Sequence, residues 1–181
     1  DVYAKTFGVS AGGLAVGASF ADIDLSSTVT ASVAGAITAG SLTVTGRQLV
    51  PGGGYSAEAR TTGSSGGLVA IDATDSDART TSNVSSYVAG GSTLNITGAT
   101  AIGAVNNTSQ YADANSNTGG LIAAGISTSY AGSNTTTEAY LGSNVKVTGG
   151  SLTVTAVGTD VNFAETTSGS YGLAGVSSAS A

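Results

Sequence analysis

Carboxylates are the first residues to weigh for chemistry. Ile71-Asp72-Ala73-Thr74-Asp75-Ser76-Asp77 carries three of them, and Asp22-Ile23-Asp24 adds a pair. Hard cations such as Ca²⁺ take several oxygen ligands at once. In an extended segment Asp75 and Asp77 share a face and Asp72 lies opposite. No EF-hand loop and no glycine-rich Ca²⁺ nonapeptide is present. Solvated surface acids are the favoured reading. Asp72, Asp75 and Asp77 remain a weak Ca²⁺ set, and no other cofactor is expected. Tyr55, Tyr111, Tyr130 and Tyr140 could form an aromatic platform for sugar rings, although tyrosine at a coil edge commonly just packs. The chain has no His and no Cys, so nucleophilic triads built on them are excluded. A polysaccharide-cleaving β-helix would need carboxylates clustered with a basic group. Lys5, Arg47, Arg60, Arg79 and Lys146 are instead scattered. The expectation is no enzyme, with that activity a remote alternative.

Composition narrows the partners. Net charge is −6 with only five Lys plus Arg. Phosphate neutralisation needs a basic patch, so nucleic acid is not an expected partner. No stretch of 18 apolar residues offers a spanning helix. Charged residues are 9% of the chain, and 28 Gly accompany abundant Ala, Ser and Thr. The 40% hydrophobic fraction still gives surface to bury, which argues against disorder. Small residues inside imply thin, closely packed layers. Low Lys, much Thr, Ser and Asn, and an acidic balance point to an extracellular or cell-surface location. The chain opens at Asp1 without Met and stops inside a repeat at Ala181, which reads as an excerpt of a longer protein.

The elements that must position these residues are repeats. Gly12-Gly13-Leu14 returns as Gly66-Gly67-Leu68, as Gly119-Gly120-Leu121, and as Tyr171-Gly172-Leu173. The leucines step by 54, 53 and 52 residues. GSTLNITG (91–98) aligns on GSNVKVTG (142–149), and 35–46 aligns on 145–156. A fixed period of this size marks a repeat architecture. The repeats run approximately 12–65, 66–118 and 119–171, with partial repeats at both ends of a single 1–181 segment. Leu121 to Val147 and Val147 to Leu173 are each 26 residues. Each repeat therefore holds either two narrow coils or one wide one.

Local pattern favours strands throughout and near-zero helix. Ser41-Leu42-Thr43-Val44-Thr45 alternates apolar and hydroxylated residues, as do the segments around Leu94, Val145 and Leu152. Leu42, Val44, Leu94, Ile96, Val145, Val147, Leu152 and Val154 should point inward. A second, alanine-rich strand family flanks each Gly-Gly-Leu. Arg47 to Gly54 holds the only proline and a triple glycine, and it reads as an inserted exposed loop.

The alternating alanine strand, Gly-Gly-Leu-x-Ala, and Ala139-Tyr140-Leu141-Gly142 through Ala156 carry a resemblance. They resemble the repeats of very large bacterial surface proteins, the filamentous haemagglutinin-like and leukotoxin-like filamentous adhesins. Tyr87-Val88-Ala89-Gly90 is a weaker match. The resemblance implies an exported β-solenoid used as stalk, fibre or adhesin, and supplies no catalytic residues. The combined expectation is an all-β, right-handed parallel β-helix. It serves as a structural segment of an extracellular fibre or adhesin stalk, self-associating through further copies or repeats. The alternative is a module binding surface glycans or other cells.

Overall fold

A computed structural model describes all 181 residues. They form nine strands and no helix: β1 (Val2–Val33), β2 (Ala36–Ala39), β3 (Leu42–Gln48), β4 (Ala57–Val88), β5 (Thr93–Ile96), β6 (Thr100–Leu141), β7 (Lys146–Gly149), β8 (Leu152–Tyr171) and β9 (Ala174–Ser180). Every pairing is parallel. The fold is a β-solenoid, and 102 of its 115 backbone hydrogen bonds lie within the strand ladders.

The long strands β1, β4 and β6 double back on themselves. Thr6 Oγ1 donates to the Phe20 carbonyl at 2.5 Å, and Thr61 Oγ1 and Ser76 Oγ bond at 2.8 Å. Each turn of the chain is thus an outbound layer, a glycine hairpin and a return layer. The outbound sheet stacks residues 2–11 of β1, β3 with 57–66 of β4, 100–119 of β6, and β8. The return sheet stacks 14–33, 69–88, 122–141 and β9. β2, β5 and β7 form a short third sheet at the far corner. Ala57 sits beside Val2 on one side and Gln110 on the other, so one whole repeat makes one wide coil. Four rungs at the strand spacing give a body about 19 Å thick along the stack.

Register corrects two of the sequence alignments. Gly12 pairs with Gly67, not Gly66, and Leu14 pairs with Val69. A one-residue slip exchanges the two faces of a strand, so the ladder cannot follow the leucines here. The fixed point is the glycine that meets the neighbouring rung, Gly12, Gly67, Gly120 and Gly172. A Cβ on Gly67, Gly120 or Gly172 would strike the carbonyl of Gly12, Gly67 or Gly120 in the rung before. At the corner Leu94 pairs with Val147 rather than Val145. That slip is two residues, and it preserves the face. The insertion lies where expected, although Arg47 and Gln48 still belong to β3 and the loop proper is 49–56.

The interior has two characters. At the corner, Val88, Leu94, Ile96 and Ile102 form an apolar cluster joined by Leu42 and Val145. Between the two long layers the lining is small or hydroxylated: Ala57, Ala59, Thr61, Ser76, Ala78, Ser82 and Ala112 are buried. Of the large apolar residues there, Ile23 and Val84 are buried, whereas Val16, Phe20, Ile71 and Ile126 face outward. Of the residues expected inside, Val44, Leu94 and Ile96 are buried. Val147, Leu152 and Val154 continue the inner columns of Leu94, Thr100 and Ile102 but sit on the last rung, exposed.

Leu94 is 0% exposed and Leu121 is 51% exposed. Leu94→Ala should therefore cost about 2–5 kcal/mol in urea unfolding, as a core truncation does. Leu121→Ala should stay within about 0.5 kcal/mol, as a surface change does. Equal losses would place the core elsewhere.

Candidate functional site

The aromatic residues gather by column, because in-register parallel strands place equivalent positions side by side. On the outer face of the outbound sheet Tyr111 stands between Glu58 and Phe163. Its ring stacks on Phe163 at 5.5 Å and 6°, and Tyr55 from the 49–56 loop stacks on it at 4.9 Å. The Arg60 guanidinium lies 4.6 Å from the ring centroid, a cation–π contact. The Tyr111 hydroxyl donates to Glu165 Oε2 at 3.3 Å. Burial raises its pKa, and the charges of Asp113 and Glu165 raise it further against the pull of Arg60. With 8% exposure, Tyr111 has no free ring face for a sugar. Tyr55 and Tyr111 are a packed stack that closes the inserted loop onto the sheet.

Tyr130 and Tyr140 lie on the return sheet, the opposite outer face, so the four tyrosines do not share one platform. Tyr140 stacks on Tyr87 at 5.0 Å and 6°. Tyr130 is 54% exposed, and the Arg79 guanidinium stands 5.1 Å from its centroid. Arg79 also pairs with Asp77. Asp24, Arg79, Tyr130, Ser133 and Asn134 border an open depression of about 180 Å³, floored by Gly132. This is smaller than the roughly 300–1,000 Å³ of sites for drug-sized ligands.

The three sequence-selected carboxylates separate. Asp75 and Asp77 face outward beside Phe20 and Asp22 of β1, whereas Asp72 is buried between the layers. Burial raises the Asp77 pKa; Arg79 opposes this, while Asp22, Asp75 and Asp24 add to it. No three His, Cys, Asp or Glu side chains converge on one point. Arg60 pairs with Glu58 at 2.5 Å on the same strand, an exposed pair like that of Arg79 and of small energetic weight.

Sequence reading overlooked Asp160 on β8. Its carboxylate accepts from Thr108 Oγ1 at 2.6 Å, from Asn162 Nδ2 at 2.9 Å, and from Ser133 Oγ. Burial alone would raise its pKa, but these donors and the Val161 N–H outweigh it and hold the pKa low. Only the fold brings Ser133 within reach, from a return strand 27 residues away. Also overlooked was an outer apolar field on the return sheet near the glycine hairpins. Leu14, Val16, Phe20, Ile71, Ile122 and Ile126 are all exposed there. A contiguous exposed patch of this kind marks a contact surface more often than an accident. No helix is long and apolar enough to cross a membrane. No family model, no curated protein and no solved structure matches the chain.

Two measurements follow from this geometry. Tyr111→Ala should cost about 3–5 kcal/mol, as loss of a buried aromatic does, and should free the 49–56 loop to rapid amide exchange. The depressed pKa of Asp160 adds stability above its unfolded value of about 3.9, which is lost as pH falls through the folded value. Asp160→Asn should flatten that acid limb in urea unfolding followed against pH.

Proposed function

We propose that the chain is a structural segment of an extracellular fibre or cell-surface adhesin stalk, built by stacking β-coils. One observation carries this reading. Each rung offers its neighbour the same backbone ladder and nearly the same small inner residues. The column Ala4, Ala59, Ala112, Ala164 is an example, and Thr6, Thr61, Ala114, Thr166 is another. Such a unit can add to itself rung upon rung. The outer edges of β1 and β8 present unpaired backbone groups, which are templates for further strands. The apolar field on the return sheet gives a second direction of association, side by side. The resemblance to filamentous adhesin repeats agrees with this reading.

The test is electron microscopy of the concentrated 181-residue protein, with diffraction from aligned material. Rods carrying a reflection near 4.8 Å along their axis are expected. A monodisperse particle of single-chain mass at every concentration would overturn the stacking role.

The glycan-binding reading is favoured by a separate observation, the depression beside Tyr130. There an exposed ring, a guanidinium, a carboxylate and an amide stand together. That set suits a neutral sugar's hydroxyls and ring face. Tyr130→Ala should abolish binding on a glycan array while leaving the unfolding midpoint within about 0.5 kcal/mol of the parent. Glycan binding unchanged by Tyr130→Ala would remove this site from consideration.

A further inference from the structure

Asp72 is 1% exposed, at the inner face of the return sheet. Gly17 and Gly125 are its column neighbours, so no side chain stands on either side of it. Its carboxyl fills the room that glycines leave. A Cβ on Gly17 would lie 2.6 Å from Asp72 Oδ1, and a Cβ on Gly63 of the facing layer 2.7 Å from the same atom. Asp72 Oδ2 has no hydrogen-bond partner, and neither do the hydroxyls of Ser10, Ser65, Ser116 and Ser168. These serines belong to two adjacent inner columns of the outbound layer, Ser10 with Ser65 and Ser116 with Ser168.

No titratable or charged group faces Asp72 from any element packed against it. β1 contributes Gly17 and Ser10; β4 contributes Gly63 and Ser65; β6 contributes Gly125 and Ser116. The five Lys and Arg side chains are elsewhere: Lys5 and Arg60 on the outer face of the outbound layer, Arg79 on the outer face of the return layer, and Arg47 and Lys146 toward the corner. An unpaired carboxylate in such surroundings carries a desolvation cost with nothing to offset it, and it adopts the neutral form instead. A cation is a poor substitute. Ca²⁺ needs six to eight oxygens at roughly 2.3–2.6 Å, and the glycine-lined space is already filled by the carboxyl itself. As an acid, Asp72 gains an O–H that can donate to a serine oxygen, giving orphaned groups a partner.

We propose that Asp72 is held as a neutral carboxylic acid inside the folded coil, so that rising pH loosens the two layers around it. Burial pushes its pKa upward, and no charged group nearby opposes it. A folded pKa above the unfolded one gives stability that is complete below the unfolded value, about 3.9. That stability is lost as pH rises through the folded value. The direction is opposite to that of Asp160.

The experiment is ¹³C NMR of the aspartate carboxyl carbons of the whole chain, titrated from roughly pH 3 to 8 across the window in which a raised carboxyl would ionise. The Asp72 signal should keep its protonated shift well above about pH 3.9, the ordinary aspartate value. Titration of Asp72 at that ordinary value overturns the proposal. In parallel, urea midpoints are followed against pH for the parent and for Asp72→Asn, which copies the shape of the acid and cannot ionise. The parent should lose midpoint relative to the variant as pH rises, and parallel curves overturn the proposal. A parent midpoint that rises with added Ca²⁺ at neutral pH, and does not in Asp72→Asn, would mean that an ion and not a proton neutralises the group. The NMR measurement stands by itself if the variant fails to fold.

Discussion

Two β-layers that approach closely enough for Thr61 Oγ1 and Ser76 Oγ to hydrogen-bond across the gap at 2.8 Å favour small side chains between them, with Ile23, Val84, Asn106 and Gln110 the larger exceptions. The composition follows from that narrowness. Alanine, serine, threonine and glycine dominate the inner columns, because bulky side chains in every column would force the layers apart against their own ladders. The bulk that a globular core would hide is moved outward, so Val16, Phe20 and Ile126 stand in solvent. A chain with 40% hydrophobic residues can in this way have a modest aliphatic core.

The gap also changes what kind of interaction closes the structure. At the wide corner, burial of Leu94, Ile96 and Ile102 works by removing apolar surface from water. Between the long layers, hydroxyls and amides act as cross-ties. Ser82 Oγ donates to Asn106 Oδ1 at 2.8 Å, Gly46 N–H to Ser86 Oγ at 2.7 Å, and Ser127 Oγ to the Thr167 carbonyl at 2.9 Å. Each such bond contributes only about 1 kcal/mol net, but the ties are directional and fix the register of one layer on the other. Asp160 and Asp72 are the two extremes of this polar system. One carboxylate is surrounded by donors, and the other is enclosed by glycines and serines with no partner in place.

Much of the architecture was legible in the sequence, for physical reasons. Parallel in-register stacking puts like residues side by side, so the fold writes its period into the chain. Alternation in Leu42-Thr43-Val44-Thr45 showed the strand, and Pro51 with the glycines after it showed the loop. The failures have causes as well. The leucine of Gly-Gly-Leu is the conspicuous letter, but the constraint sits on the glycine that must clear a carbonyl, so Gly12 was matched one place off. The residues expected inside lay at or beside the corner; alternation named no inner face for the alanine-rich strands, where Phe20 faces out and Ile23 faces in. The candidate sites were least legible, because the exposure of Tyr111 and of Tyr130 is set by the face of the coil and the neighbours each meets there. Nothing local in either tyrosine's surroundings records that.

The 49–56 loop has a further meaning. Gln48 pairs with Asn106 and Ala57 with Gln110, so nine steps of the second rung cover the distance that four steps cover in the third. The surplus is pushed out sideways, and the very next strand falls back into alignment. Errors in length therefore do not accumulate from turn to turn, since each turn is measured afresh against the one beneath it. A molecule of this kind can gain or lose residues at its rim, acquiring a new surface feature on a single storey, while the storeys above remain undisturbed.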